Sequence, residues 1–289
     1  GIDNLNNYYS PSLKKDRINI LQDYQNFNFN KVDICNKRLL KKSFESFNPE
    51  KVINMAAQPG VRYSLENPYA YMNSNLVGFI NIIELSKRNK VEGFIYASSS
   101  SVYGNSGKIP FNLNDSADKP LSLYGATKRS NELIAYSYSN LYELKTTGLR
   151  FFTVYGPWYR PDMSIFIFTK KIIENKPITV FNNGKLKRDF IFIDDIIDGT
   201  ISAIEKNYNC EIFNLGNNKS EKLIDIINII ESELNNHAEI NYEDMRPGDA
   251  YQTYANIEYS KEKLDFTPST NLKDGIPIFI DWYKEYYNV

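Results

Sequence analysis

The chain has 289 residues, 42% hydrophobic and 24% charged, which is ample for a sizeable core. Its 34 basic and 35 acidic side chains leave a formal net charge of −1, so no basic footprint for nucleic acid or an anionic membrane surface exists. Two cysteines, Cys35 and Cys210, exclude a disulfide framework, and no apolar run approaches the ~18–20 residues of a membrane span.

In chain order, apolar patterning predicts a strand at 27–33, a helix at 38–47, a strand at 51–54, a helix at 68–89, a strand at 93–98, a helix at 124–142 and a strand at 146–151. Within 68–89, Leu76, Phe79, Ile80, Ile83 and Leu85 recur at three- and four-residue steps, as in a helix packed on a sheet. Strand–helix alternation of this kind predicts an α/β fold: a parallel sheet with helices on both faces. Beyond Pro157 the pattern changes to helices at 170–174, 223–234 and 274–287, separated by turn-rich loops such as FNNGKLKRD and MRPGDAYQT. This predicts a smaller lobe, with an apolar strand at 190–192 and the segment 190–204 returning to the large sheet.

The strongest chemical signal is Tyr124-Gly-Ala-Thr-Lys128 at the start of a predicted helix. Four residues apart, the phenol and the amine share one helix face. A neighbouring ammonium stabilises phenolate, so such a tyrosine can act as a general base towards an alcohol. In a chain with 22 tyrosines the spacing alone is weak evidence. It gains weight from Tyr96-Ala-Ser98-Ser99-Ser100-Ser101, an apolar strand ending in four serines. Hydroxyls at the carboxyl end of a parallel strand face the crevice where such sheets bind ligands. Ser99 is the candidate hydrogen-bond partner for the reacting alcohol oxygen.

Other features read as structural. The single histidine, His237, has no ligand spacing around it, so no metal site is expected. Asp194-Asp195 read as the start of a helix, where carboxylates are favoured. The opening residues carry no signal-peptide core, and a cytoplasmic setting is the default expectation.

With these motifs in place, the chain resembles the extended short-chain dehydrogenase/reductase family, and within it the UDP-glucuronate 4-epimerase branch of the capsule-biosynthesis type. The resemblance rests on GIDNLNNYY, NMAAQPGVRYSLENP, YASSSSVYG, SLYGATK, GLRFFTVYGPWYRPDM, KRDFIFIDDI, IFNLGN and RPGD, in that order from the first residue to the last helix. It implies a Rossmann-type doubly wound parallel sheet over 1–156, binding NAD, and a substrate-binding lobe over 157–289. It also implies the catalytic set Ser99, Tyr124 and Lys128. Tyr124 takes the proton of the sugar 4-hydroxyl as hydride leaves for NAD, and a 4-keto sugar turns over before reduction on its other face.

By the same resemblance Asp3, Asn4 and Asn6 hold the adenosine ribose, and a carboxylate there favours NAD over NADP. Asp33 and Ile34 meet the adenine. Ala56, Ala57 and Gln58 lie by the pyrophosphate, and Asn75 lies on the cofactor side together with Tyr124 and Lys128. Ser100, Ser101 and Thr153 are substrate positions, and Arg160 pairs with a sugar carboxylate through two parallel hydrogen bonds. Arg188 and Arg246 hold the UDP diphosphate, and Asp249 orients the ribose. The partner set is therefore a UDP-sugar and a second copy of the chain, joined through a four-helix bundle of the 68–89 and 124–142 helices. Members of the family begin with a strand, a Gly-x-x-Gly-x-x-Gly loop and a helix. No such glycine run occurs here, so the first βα unit is expected to be missing and the sheet to be divided. Dehydratases and decarboxylases of the family carry acids in the serine run, where this chain has Ser100 and Ser101. The alternatives are a UDP-galactose or UDP-N-acetylhexosamine 4-epimerase, or a non-catalytic NAD-binding protein of the same fold.

Overall fold

The computed structural model describes residues 1–105 and 107–289. Two compact units divide the chain: Gly1–Gly104, Ser116–Arg150 and Ile201–Phe213 form the first, and Asn105–Asp115, Phe151–Thr200 and Asn214–Val289 the second.

The elements begin with β1 (Ile2–Asp3), α1 (Pro11–Gln22), β2 (Asn30–Lys31), α2 (Lys37–Phe47) and β3 (Lys51–Asn54). The short α3 (Tyr63–Glu66) and α4 (Pro68–Tyr71) lead through a π-helical stretch, Met72–Gly78, into α5 (Phe79–Arg88). Next come β4 (Gly93–Ser99), a 3-10 turn at Ser100–Tyr103, α6 (Leu123–Tyr142) and β5 (Thr146–Phe151). The chain continues with β6 (Thr153–Tyr155), α7 (Ser164–Ile173), β7 (Ile178–Phe181), β8 (Lys187–Arg188), β9 (Phe190–Phe192) and α8 (Ile193–Lys206). It ends with β10 (Cys210–Leu215), β11 (Glu221–Lys222), α9 (Leu223–Leu234), β12 (Ile240–Glu243), α10 (Glu258–Leu264) and α11 (Leu272–Tyr287).

The first unit is built on a sheet of order β10-β5-β4-β3, with β3 parallel to β4 in the register Lys51↔Gly93 to Asn54↔Tyr96. β1 pairs parallel with β2 as a separate ribbon, and among the described residues no ladder joins β1 to β3. The predicted strand at 27–33 is thus only two residues long. Helix α2 forms because Asn36 accepts a hydrogen bond from the Leu39 N–H at 3.1 Å, and Leu40 and Phe44, one turn apart, bury the same face. They join Phe79, Ile83, Phe94 and Tyr96 in one core. Gly78 brings the start of α5 against the turn after β2, since a Cβ there would lie 2.5 Å from the Ile34 side chain.

The second unit has its own core around Tyr155, Phe166, Phe190, Phe192, Ile227 and Phe279. Strand 190–192, expected in the large sheet, lies outside it, whereas residues 201–204 fall in the first unit. β9 pairs parallel with β6, from Thr153↔Phe190 to Tyr155↔Phe192, and the strand that extends the large sheet is β10. All three residues of β9 are buried, with Phe190 and Phe192 committed to the second unit's core. A buried apolar triplet does not encode which sheet receives it. Asp194 and Asp195 do fall in the first turn of α8, and Asp195 additionally accepts the Ser269 and Thr270 N–H groups at 3.0 and 3.1 Å. No helix among the described residues is long and apolar enough to cross a membrane.

Candidate active site

α6 starts where Ser122, in extended conformation, accepts the Gly125 N–H on its hydroxyl at 3.1 Å. Tyr124 is therefore fixed in the first turn. Its ring meets Tyr71 edge-on at 6.1 Å, and Tyr71, fully buried, donates its hydroxyl to the Pro59 carbonyl at 2.7 Å. Tyr63 and Tyr8 continue this row of rings, with centroids 6.2 and 4.9 Å apart. One turn after Tyr124, Lys128 is buried and donates Nζ to the Ala97 carbonyl at 2.8 Å. Burial pushes its ammonium down to about 8, because the charged form loses its hydration.

Ser99 closes β4 in extended conformation, and its hydroxyl accepts the Ser101 N–H at 3.2 Å, which turns the chain into the 3-10 segment. Ser100 and Ser101 lie in that turn. A Cβ at Gly125 would stand 2.5 Å from the Ser101 carbonyl oxygen, so the glycine lets α6 approach the serine turn. The serine run and the Tyr-x-x-x-Lys turn, 25 residues apart in sequence, are thereby neighbours. Gly125→Ala is expected to leave the helix intact, since alanine is the better helix former, but to push the Tyr124 turn off the serines. A shift of this kind costs about 10- to 100-fold in kcat, together with about 1–3 kcal/mol of stability because the atom met is backbone, as kinetics and thermal unfolding would measure.

Gln58 and Asn75 are joined to the same helix. The Gln58 N–H donates to Asn75 Oδ1 at 2.7 Å, and Asn75 Nδ2 donates to the Gln58 carbonyl at 3.1 Å and to Thr127 Oγ1 at 3.0 Å. Asn131 Nδ2 donates to the Asn75 carbonyl at 2.6 Å. Asn75 sits in the π-helical stretch, a conformation that collects at functional sites. Ala56 and Ala57 are half-buried between β3 and Gln58.

The turn after β1 is a series of side chain-to-backbone closures: Asp3 Oδ1 accepts the Leu5 N–H, Asn4 Oδ1 that of Asn6, and Asn6 Oδ1 that of Tyr8. Asn4 Nδ2 donates to Asp33 Oδ2 at 3.0 Å, tying the ends of β1 and β2 together. Burial works to raise the Asp33 carboxyl, but bonds from Asn4 and the Cys35 backbone outweigh it and hold it below the usual range. Ile34 is buried against Gly78. Lys14 donates to both Asn6 Oδ1 and the Asn6 carbonyl, fastening this turn.

In the second unit Thr153 lies on β6, its N–H donating to the Asp189 carbonyl at 3.0 Å. Arg160 forms a two-pronged pair with Asp162 at 3.1 and 3.0 Å, both side chains being partly exposed. Arg188 Nη1 donates to the Lys187 and Tyr251 carbonyls, and the Arg246 guanidinium lies 3.6 Å from the centroid of the Phe181 ring. The Asp249 N–H donates back to the Arg246 carbonyl at 3.4 Å. Sequence reasoning missed Gly125, Tyr71, Thr127 and Asn131, as well as a buried cluster of Ser98, Glu132 and Arg150 beneath the helix. A Glu four residues after Lys128 on one helix face was the single available signal for that cluster.

The chain as a whole has known counterparts. Residues 1–216 match the model of the NAD dependent epimerase/dehydratase family. Protein CapI of Staphylococcus aureus is 47% identical over 305 residues, covering 99% of this chain and 91% of its own length. UDP-glucuronate 4-epimerase 4 of Arabidopsis thaliana is 43% identical over 306 residues, covering 100% of this chain and 70% of its own. Among solved structures, the UDP-glucuronic acid 4-epimerase of Bacillus cereus, in complex with UDP-glucuronic acid and NAD, superposes with a TM-score of 0.93 at 35% identity, covering 99% of this chain and 91% of that one. A serine-ended parallel strand, a tyrosine and a buried lysine one turn apart, and a family match across most of the chain agree: this protein belongs to the NAD-dependent epimerase/dehydratase family.

Proposed function

We propose that the protein is a UDP-sugar 4-epimerase that uses NAD and acts on UDP-glucuronate. The observation that carries this is the half-buried Tyr124 phenol, one turn from a buried ammonium and next to the serine end of β4. Tyr124 removes the proton of the sugar 4-hydroxyl, Lys128 stabilises the phenolate, and Ser99 hydrogen-bonds the same oxygen. Bound NAD would supply the hydride acceptor and donor for C4. The residues present fit its two ends: Asp3, with Asn4 and Asn6 in support, would accept ribose hydroxyls, Asp33 and Ile34 would face the adenine, and Ala56, Ala57, Gln58 and Asn75 would line the side towards α6. Tyr124 would take the proton from O4 and return it, while the configuration at C4 is set by which face of the 4-keto sugar is turned towards the hydride donor.

The second unit carries groups suited to a UDP-uronate: Arg188 and Arg246 for the diphosphate, Asp249 for the ribose, Thr153 for the sugar and Arg160 for its carboxylate, and Ser100 and Ser101 of the first unit are further candidates for the sugar. Asp162 occupies the Nε–Nη2 edge of Arg160 in a planar pair, so a sugar carboxylate would have to take the place of Asp162 on that edge. The test is conversion of UDP-glucuronate to UDP-galacturonate by the protein with NAD, set against UDP-glucose and UDP-N-acetylglucosamine. Arg160→Leu should weaken UDP-glucuronate by about 10- to 100-fold in kcat/KM, the worth of a charge-assisted pair, and leave a neutral UDP-sugar nearly untouched. Turnover of neutral sugars alone would turn the reading to a UDP-galactose or UDP-N-acetylhexosamine epimerase.

The assembly we infer is a homodimer. Met72, Val77 and Ile80 on the 68–89 helical segment, with Leu133 and Tyr136 on α6, are exposed apolar side chains. Apolar surface of this kind is covered by a second copy in a four-helix arrangement. Leu133→Glu with Tyr136→Glu is expected to halve the mass measured by light scattering, and an unchanged mass would remove these helices from the interface. A nucleotide-sugar substrate is consistent with a cytoplasmic enzyme of capsule biosynthesis.

A further inference from the structure

Beneath the Tyr124–Lys128 turn lies a buried charge cluster to which the reaction assigns no part. Glu132 Oε1 accepts hydrogen bonds from Ser98 Oγ at 2.6 Å and Arg150 Nε at 2.8 Å. Glu132 Oε2 accepts from Arg150 Nη2 at 2.8 Å and Arg129 Nη1 at 2.9 Å. The side chains of Glu132 and Arg150 are 1% and 3% exposed, and the Arg150 guanidinium stacks 4.7 Å from the centroid of the Tyr103 ring. A buried ion pair is poor evidence of stability, because its desolvation cancels most of its attraction and apolar side chains of equal size often serve as well. What this one does supply is direction. Lys128 and Glu132, one turn apart on α6, grip successive residues of β4: the Ala97 carbonyl and the Ser98 hydroxyl. The next residue is Ser99, and two residues on, Ser101 abuts Gly125. Arg150, on β5, holds the Glu132 carboxylate from the neighbouring strand.

We propose that Glu132, clamped by Arg150, is a positioning residue that fixes the strand end bearing Ser99 against the helix bearing Tyr124 and Lys128. The inference rests on the reaction proposed above and deepens it. Without the clamp, Ser98 loses its acceptor and Ser99 loses its register with the phenol, while groups that hold nucleotide and diphosphate are untouched. The signature is a fall in kcat at nearly constant KM.

The test uses the full chain with Ser98→Ala, Glu132→Gln and the size-matched pair Glu132→Leu with Arg150→Met, the last as a safeguard should the single change impair folding. Ser98→Ala and Glu132→Gln should each lower kcat, the latter by about 10- to 100-fold, with KM for UDP-glucuronate within about twofold. The Leu/Met pair should recover the melting temperature but not kcat. Hydrogen exchange should quicken in peptides covering 97–101 and 122–128 of the Glu132→Gln protein. Wild-type kcat in folded Glu132→Gln, or recovery of kcat along with melting temperature in the Leu/Met pair, would overturn the assignment. Absence of UDP-sugar turnover in the wild type would sink the reaction rather than the clamp. The exchange rates then decide: acceleration confined to those two peptides upholds it, and unchanged rates overturn it.

Discussion

Tyr124→Phe should lower kcat by about 10²- to 10⁴-fold, the usual worth of a placed general acid–base, while the protein keeps its melting temperature. The ring is what packs on Tyr71, and phenylalanine retains it; only the hydroxyl is lost. The pH dependence carries a second, independent mark. Lys128 is buried, and its ammonium titrates near 8 instead of at its ordinary 10.5. Below about 8 it is charged and supports the phenolate; above, it is neutral and that support is gone, so kcat should fall on the alkaline side of about 8. For stability the sign is set by the same depressed value: as pH drops from 10.5 towards 8 the unfolded chain takes up the proton while the buried amine stays neutral, so stability falls progressively over that range. Lys128→Met should abolish the alkaline limb of the rate profile and lower kcat by at least about 10-fold. A Tyr124→Phe protein that epimerises at the wild-type rate would remove the phenol from the reaction altogether.

What the sequence made legible is what is local in the chain. Tyr124 and Lys128 are four apart on one helix, and Ser99 ends an apolar strand, so periodicity and strand polarity place each of them without knowledge of the fold. The α/β alternation of the first 150 residues is local in the same sense. Contacts between distant residues left no comparable trace. Asn75 meets Thr127 across 52 residues with nothing in composition or spacing to mark the pairing, and for Arg150 and Glu132, 18 apart, the spacing of Glu132 from Lys128 marks the glutamate but not its partner. Helix α1 escaped notice because Leu13 is its single buried residue, so the periodic signal is faint; Pro11 in its first turn is its clearest mark. β9 was assigned to the wrong sheet for a related reason: three consecutive buried apolar residues suit any parallel pairing. Arg160 was legible as a cation, whereas its engagement by Asp162, two residues on, depends on a loop conformation that propensity does not encode.

The second large effect concerns stability. Asp189→Ala should destabilise the protein by about 2–6 kcal/mol, read from the shift in a denaturant midpoint. Asp189 is fully buried in the second unit, where Oδ1 accepts the Asn217 N–H at 2.6 Å and Oδ2 the Ala255 N–H at 3.0 Å. Its own N–H donates to Thr253 Oγ1, and its carbonyl accepts from Thr153, so one residue ties the 216–219 loop, the 253–255 segment and β6 together. Truncation strands two buried backbone donors, each costing about 1–3 kcal/mol. Burial raises its carboxyl to about 7, although backbone donors from Ala255, Asn217, Lys219 and Asn218 pull the other way. Since the folded value lies above the ordinary 3.8, the folded state holds the proton more tightly than the unfolded chain does. The contribution of this group is then fullest below about 4 and is lost as pH rises through about 7. The penalty of Asp189→Ala should therefore be larger at about pH 5 than at about pH 8, by up to a few kcal/mol, when the same midpoints are measured at both. A penalty equal at the two pH values would mean that the backbone donors hold the carboxylate ionised throughout, and that Asp189 ties the loops as a fixed charge.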